Sequence, residues 1–195
     1  MSDNELWHAF VAAKRELHHC QADFYQNAQN RPDILKAALA GGSWQRGAAL
    51  DFLRSFSGDG LALLPQLIEL SMSHGWATEA RQAVDGIPRD TLLPALDPLI
   101  TAQLDSADED DYRRLAELLA CIRAWPLLQQ LLRHAQASED SDIREVADDF
   151  TAEYGVMGDA GPRPRQASLT SAVNAGGPDS EPRAVGGVVG RLSRH

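Results

Sequence analysis

The ten residues SDIREVADDF (141–150) contain the pattern from which the fold can be predicted. Asp142 stands directly before Ile143 and Arg144, and Ala147 follows the isoleucine after four positions. A spacing of four residues brings two side chains onto the same side of an α-helix, one turn apart. The stretch therefore predicts a helix start with a bulky residue and a small residue on one face.

Three other predicted helices begin in the same way, with a bulky residue and an alanine four positions later. Successive starts are separated by 32, 36 and 31 residues. Recurrence at this kind of period is the signature of stacked helical pairs. We expect the bulky side chain to fill the gap between layers and the alanine to let neighbouring helices approach closely. The predicted structural anchors are Trp44, Ala48, Trp76, Ala80, Tyr112, Ala116, Ile143 and Ala147.

The rest of the sequence up to residue 154 also predicts helices. Residues 4–28 place Leu6, Phe10 and Leu17 on one helical face, and Pro32 ends this segment. The later breaks are rich in Gly, Ser and acidic residues, and such short connections favour paired neighbouring helices. Helix-forming residues dominate and no segment alternates with a period of two, so the predicted class is all-α.

The recurring units resemble HEAT repeats, which are armadillo-like pairs of helices. Asp142, Ile143, Arg144 and Ala147 match the family's aspartate, β-branched residue, arginine and downstream alanine. The resemblance covers roughly residues 32–153. It implies a right-handed α-solenoid of about four HEAT-like helical hairpins whose second helices line a concave face. It implies no particular chemistry.

These patterns divide the chain into three predicted parts. Residues 1–31 are expected to form an N-terminal capping helix, because the end of a solenoid exposes an apolar face unless something covers it. Residues 32–154 are expected to hold the HEAT-like repeats. Residues 155–195 are rich in Gly, Pro, Ser, Ala and Arg and contain no aromatic residue, so we expect a disordered tail there.

The charge distribution bears on the kind of partner. Residues 1–154 contain 13 Lys and Arg against 25 Asp and Glu, whereas residues 155–195 contain five Arg and three acidic residues. Binding to nucleic acid is driven by basic groups that displace counterions, so we expect no nucleic-acid partner. The acidic excess favours a protein partner with a basic surface.

Eight carboxylates are candidates for contacts with such a partner, and we call them the acidic rim. Four of them (108–111) precede the helix that begins at Tyr112, where carboxylates also cap a helix and interact favourably with its dipole. Trp44, Trp76 and Trp125 could also contact a partner, but the recurrence of aromatic residues at layer positions favours packing. The acidic rim consists of Glu79, Asp85, Asp108, Glu109, Asp110, Asp111, Asp148 and Asp149.

One cluster, formed by His18, His19, Cys20 and Asp23, resembles a metal site. His19 and Asp23 are four residues apart and share a helix face, but a zinc site needs three or four ligands and no second cluster complements them. We therefore predict no metal. The sequence contains neither a glycine-rich phosphate loop nor a nucleophile elbow, so we predict no catalytic residues and no cofactor.

The N-terminal residues are too polar for a signal peptide, and no apolar run approaches the ~20 residues of a membrane span. We expect a cytoplasmic protein with no membrane partner. The predicted function is a non-enzymatic protein–protein interaction module, similar to small acidic bacterial immunity-type proteins that bind a basic toxin domain. The alternative is a HEAT-like enzyme, similar to bilin lyases, that acts on a small molecule in the concave face. The sequence leaves the oligomeric state open.

Overall fold

The computed structural model describes residues 1–104 and 106–154, and all regular secondary structure within these ranges is helical. The predicted all-α class is therefore confirmed for the described residues. Two short 3-10 turns, Ser57–Asp59 and Leu61–Leu63, precede the fourth helix. The predicted disordered tail, residues 155–195, lies outside the described ranges. The α-helices are α1 (Asp3–Asn27), α2 (Arg31–Ala40), α3 (Ser43–Ser55), α4 (Leu64–Ser71), α5 (Ala77–Asp85), α6 (Arg89–Leu104), α7 (Glu109–Cys121), α8 (Trp125–Gln136) and α9 (Ser141–Tyr154).

Local sequence explains where several helices begin. Before α1, the Ser2 hydroxyl accepts a hydrogen bond from the Glu5 amide, and the Glu5 carboxylate accepts one from the Ser2 amide. Asp108 and Asp111 form the same reciprocal capping box at the start of α7. Each box satisfies backbone N–H groups that the first turn leaves without intrahelical partners. Helices α2, α4 and α8 instead carry a proline in the first turn, where its missing N–H has no cost.

The helices pack in a regular order along the chain. Helix α2 packs against α3, α4 against α5, and α8 against α9. The second helices of these three pairs and α7 also contact one another, so that α3, α5, α7 and α9 are successive neighbours. Helix α7 packs against α8 as well, and α6 lies against the turn Leu61–Leu63. This order joins side chains from α2 through α9 into one contiguous apolar core.

The predicted anchors of the last three units lie in this core. Tyr112 and Ile143 are buried, and Trp76 is half-buried and packs against the core. The alanines four positions later have no exposed area, which lets neighbouring helices approach closely at these points. These alanines are Ala80, Ala116 and Ala147.

The first unit differs from the prediction. Trp44 is 93% exposed and Ala48 is exposed as well, so their assignment as structural anchors is wrong. A helix that turned these two residues inward would also bury the carboxylate of Asp51, because residues 44, 48 and 51 share one face. It would leave Leu50 and Leu53 in water. The observed orientation buries both leucines and keeps the charge at the surface, which the transfer free energies of leucine and carboxylate groups favour.

The apolar pattern of α3 is therefore shifted by two residues from the predicted one. In α7 the buried anchors are Tyr112 and Ala116, whereas the corresponding positions of α3 are Arg46 and Leu50. The place of a bulky apolar anchor is thus taken by an arginine. Its guanidinium lies over the indole ring of Trp76, 5.8 Å from the ring centroid.

Arginines on α3, α5 and α9 donate to backbone carbonyls at or just after the end of the preceding helix. Arg46 and Arg81 bind the C-terminal ends of α2 and α4, where the last carbonyls have no intrahelical partner, whereas Arg144 binds the turn that follows α8. Such charge-assisted hydrogen bonds join neighbouring segments of the chain. The donors and carbonyls are Arg46 with Leu39 (2.7 Å) and Gly41 (3.0 Å), Arg81 with Ser71 (3.3 Å), and Arg144 with Ser138 (2.8 Å) and Glu139 (2.9 Å).

Candidate functional site

Charge is distributed unevenly between the two ends of the helical fold. Residues 1–56, which contain α1 to α3, hold six basic and six acidic residues. Residues 57–154 hold seven basic and 19 acidic residues. The acidic excess that the sequence indicated therefore belongs entirely to residues 57–154.

Within that part, ion pairs join successive second helices at their exposed edges. Arg81 on α5 donates to Glu117 on α7 at 2.7 Å, and Arg113 on α7 donates to Asp149 on α9 at 3.0 Å. The Arg81 side chain is only 15% exposed, so this pair is better shielded from solvent than the second, in which Arg113 is 35% exposed. Part of the acidic surface is thus neutralised by the fold itself.

Five residues of the acidic rim have partners within the protein. Asp108 and Asp111 form the capping box of α7, so these two carboxylates stabilise the start of a helix, which was the alternative to partner binding. The others bind side chains on their own or a neighbouring helix, which reduces the negative potential they present to solvent. These contacts join Asp110 with Arg114 (3.5 Å), Asp148 with Gln136 (3.5 Å) and Asp149 with Arg113 (3.0 Å).

The remaining three carboxylates of the acidic rim are exposed. Glu79 and Asp85 lie on α5, and Glu109 lies in the first turn of α7. None of the three makes a hydrogen bond or an ion pair with another described residue. Because α5 and α7 pack against each other, these three are the members of the acidic rim best placed to attract a basic partner.

A second surface, which the sequence did not predict, is an apolar groove between α1, α2 and α3. The groove has a volume of about 1100 Å³. Small residues in its lining allow another chain to come close to the backbone of α2 and α3. Its principal lining residues are Leu17 and Phe24 from α1, Ile34 and Ala38 from α2, and Trp44, Gly47, Ala48 and Phe52 from α3.

The apolar groove contains few polar groups. The carboxylate of Asp51 accepts hydrogen bonds from Arg54 at 2.5 Å and from the Gln21 amide at 3.3 Å, so its charge is already compensated. Cys20 also lines the groove. A lining of this composition suits an apolar surface and offers no set of acids and bases converging on one point.

Helix α1 covers the groove incompletely. Near its C-terminal end, Phe24 packs edge-on against Phe52 with ring centroids 5.1 Å apart, and Tyr25 stacks on Phe56 at 4.9 Å. None of the side chains of α1 is buried. Helix α1, the expected capping helix, thus contacts Phe52 and Phe56 through its last turns, and its N-terminal half leaves apolar side chains exposed to water.

The candidate metal cluster of the sequence is a solvent-exposed helix face. His19 and Asp23 approach to 3.5 Å, and their side chains are 72% and 58% exposed. Across residues 1–104 and 106–154, no group of three or more His, Cys, Asp and Glu residues has the geometry to hold a metal ion.

A polar contact at the edge of the core joins the buried Tyr112 on α7 to the exposed His134 on α8. The hydroxyl of Tyr112 and Nδ1 of His134 are 2.6 Å apart, and the two rings are nearly parallel. Burial raises the pKa of the Tyr112 hydroxyl, because the ionised form would lose its hydration. The hydrogen bond to His134 gives the Tyr112 hydroxyl a partner and helps to hold the Tyr112 side chain in its position.

Comparisons with protein-family models, with curated proteins and with solved structures found no significant match to this chain. None of the helices in the described part of the chain combines the length and apolar character that crossing a lipid bilayer would require.

Proposed function

We propose that this chain is a non-enzymatic protein-binding module with a HEAT-like solenoid fold, and that its acidic rim binds a basic protein domain. Within this class we favour an immunity-type protein that binds and blocks a basic toxin domain in the cytoplasm. The observation that carries the proposal is the concentration of acidic residues after residue 56, where 19 acidic residues in positions 57–154 oppose seven basic ones.

The packing order supports the solenoid part of the proposal. Helices α3, α5, α7 and α9 contact one another in succession, and three of them donate through an arginine to carbonyls at or just after the end of the preceding helix. A stack of repeated helical pairs would produce both features, since each unit contacts mainly its neighbours. Such stacks present extended surfaces for binding other proteins.

The exposed carboxylates support the choice of a basic partner. Glu79, Asp85 and Glu109 have no compensating cation among the described residues, so a partner that brings Lys or Arg to them would gain electrostatic energy. Association driven in this way is accelerated by steering and weakens as ionic strength rises.

The test is affinity capture from the native cell with two charge-matched variants. Reversal of the three exposed rim carboxylates, Glu79→Lys, Asp85→Lys and Glu109→Lys, should abolish capture of a basic protein that the wild-type chain retains. The control reverses three exposed carboxylates in the electrically balanced N-terminal part and should leave capture unchanged. Its substitutions are Glu16→Lys, Asp23→Lys and Asp33→Lys.

Two results would contradict the proposal. The first is that the specific partner is neutral or acidic. The second is that both triple variants retain the basic partner equally, because binding would then not depend on the acidic rim. Salt titration of the captured complex adds an independent readout, since a complex held by exposed charges must dissociate as salt increases.

The alternative function, an enzyme acting on a small molecule, has one observation in its favour. The volume of the apolar groove is slightly above the range of about 300–1,000 Å³ that is typical of small-molecule sites. A screen for thermal stabilisation by apolar small molecules, compared between the wild-type chain and Trp44→Glu, tests this alternative directly. Ligand-dependent stabilisation that Trp44→Glu removes would favour it over the protein-binding proposal.

A further inference from the structure

We propose that the apolar groove binds the N-terminal half of α1 from a second copy of this chain, and that the exchange is reciprocal. The interface would be a two-fold one, in which each copy supplies one helix and one groove. This inference is independent of the proposed function, since it concerns α1 to α3 and not the acidic rim.

The first observation is that the same chain carries an unpartnered apolar helix as well as an unpartnered groove. The side chains of Leu6, Trp7 and Phe10 are 52%, 61% and 56% exposed. Leu6, Phe10 and Leu17 lie at intervals of four and seven residues, so they share one face of α1. Leu17 also lines the groove, and this apolar face therefore runs directly into it.

The second observation is that the chain cannot fill its own groove with this helix. Helix α1 runs without interruption over 25 residues, which is roughly 37 Å at the rise of an α-helix. Its C-terminal half forms one wall of the groove. The N-terminal half would have to break away from that wall to enter the space beside it, so a helix of this kind must come from another molecule.

Charge favours a second copy over a basic partner at this surface. The acidic excess that would attract a basic protein begins only after residue 56, and residues 1–56 are balanced with six charges of each sign. Two such surfaces can approach each other without net repulsion. A basic domain would gain more from the acidic rim than from this part of the chain.

The available area is sufficient for a dimer. Trp7 and Phe10 are more than half exposed, and Trp44 is 93% exposed. At roughly 150–250 Å² for an aromatic side chain, these three side chains expose roughly 300–500 Å² per chain. Both copies contribute this area to a two-fold interface, so it counts twice in the total buried area. With Leu6, Leu17 and Ile34 added, the buried area reaches the range of about 1,200 Å² and above that characterises specific interfaces.

The lining of the groove suits a helix as its occupant. Gly47 and Ala48 on α3 and Ala38 on α2 present little side-chain bulk, which permits close approach of another backbone. A Cβ atom added at Gly47 would meet only the Trp76 ring, at 3.6 Å. The exposed indole of Trp44 would cover the incoming helix from the side, as aromatic side chains do at the centre of interfaces.

The test measures the mass of the full-length chain in solution over a wide range of concentration, by sedimentation equilibrium and by light scattering. The wild-type chain should form a concentration-dependent dimer. Phe10→Glu on the helix and Trp44→Glu at the groove should each weaken association by at least roughly tenfold, since both residues are aromatic anchors. The matched control is Ala12→Glu, which adds the same charge to the opposite side of α1 and should dimerise like the wild type.

Mixing the two defective variants distinguishes a reciprocal exchange from other modes of association. A homodimer of either variant has two damaged contacts. In the mixture, the intact α1 of the Trp44→Glu chain can enter the intact groove of the Phe10→Glu chain, so a heterodimer with one good contact should form. Because both substituted residues are exposed, circular dichroism should show unchanged helix content and melting for the isolated variants.

Three outcomes would overturn the inference: a wild-type chain that stays monomeric throughout, a dimer that both variants leave intact, or a mixture that associates no better than its components. Binding of the monomer to vesicles of neutral phosphatidylcholine, lost in Phe10→Glu, would also overturn it by assigning the apolar helix to a lipid surface.

Discussion

The guanidinium of Arg46 lies over the indole ring of Trp76, 5.8 Å from its centroid, and the same guanidinium donates to the carbonyls of Leu39 and Gly41. One side chain thereby joins the end of α2, the start of α3 and the first anchor of the following unit. Its three contacts link two successive units, and this makes Arg46 the most informative single position for testing the packing order.

Arg46→Ala should lower the free energy of unfolding by about 2 kcal/mol, because it removes two charge-assisted hydrogen bonds and a cation–π contact. Arg46→Lys should recover only part of the loss, since an ammonium group cannot reproduce the planar fork of the guanidinium. Urea unfolding followed by circular dichroism measures both. The control is Arg54→Ala, which removes an exposed ion pair with Asp51 and an exposed hydrogen bond to Gln82 and should cost below about 1 kcal/mol. Equal losses at both arginines would contradict the linking role of Arg46.

Because Ala48 on α3 is exposed and Ala116 on α7 is buried, the same substitution should have different effects on stability at these two positions. Ala116→Leu should destabilise the fold by about 1–3 kcal/mol, because a fully buried position has no room for three more carbon atoms. Ala48→Leu should change stability by less than about 0.5 kcal/mol, because this alanine is exposed. Thermal melts at a concentration where the chain is monomeric compare the two. A large loss from Ala48→Leu would restore the original assignment of this residue as an anchor.

Arg123 is held in the left-handed region, with φ of 55°, directly after α7. A residue with a Cβ atom is strained there by roughly 1–2 kcal/mol, whereas glycine is not. We expect Arg123→Gly to raise the free energy of unfolding by about 0.5–1 kcal/mol, the gain being reduced by the extra freedom of glycine in the unfolded chain. As a control, Arg133→Gly in α8 should lower stability by about 1 kcal/mol. The two substitutions remove the same side chain, so effects of equal sign would contradict the conformational explanation.

The buried tyrosine makes stability depend on high pH. Burial raises the pKa of Tyr112 above its ordinary value of about 10, so above that pH the unfolded state loses this proton before the folded state does. The free energy of unfolding should therefore be constant below this region and decrease as pH rises through it. Tyr112→Phe should cost about 1 kcal/mol at neutral pH through loss of the hydrogen bond to His134, and should give a shallower alkaline decrease.

Part of the alkaline decrease should persist in Tyr112→Phe, because burial also raises the pKa values of Tyr154 and Cys121. Chemical unfolding at a series of pH values measures the slope for each variant. An unchanged slope in Tyr112→Phe would show that this hydroxyl does not ionise differently in the two states.

The sequence was sufficient to predict the helices because their signals are local. The Gly and Pro breaks and the helix-forming segments between them do not depend on distant contacts, and the structure has helices at all the predicted places among the described residues. The burial of Tyr112 and Ala116 follows from the same local period, since one face of a helix must be apolar to enter a core.

The groove could not be predicted in this way, because it depends on how α1 lies relative to α2 and α3, and the orientation of Trp44 is decided by competing residues within α3. A tryptophan next to glycine and alanine fits a packing role as well as an exposed one. Only the competing demand of Asp51 for solvent on the same helix face decides between them. The apolar face of α1 was visible in the sequence, but whether it is covered depends on tertiary packing.

The separation of charge along the chain gives ionic strength opposite effects on the two proposed assemblies. Added salt screens exposed carboxylates and should release a basic partner from the acidic rim, whereas residues 1–56, which would form the apolar dimer interface, carry balanced charges. The chain should therefore remain dimeric at salt concentrations at which it has already released its basic partner. At low salt the complex with the basic partner should form as well, so the ionic strength would decide which proteins this chain binds.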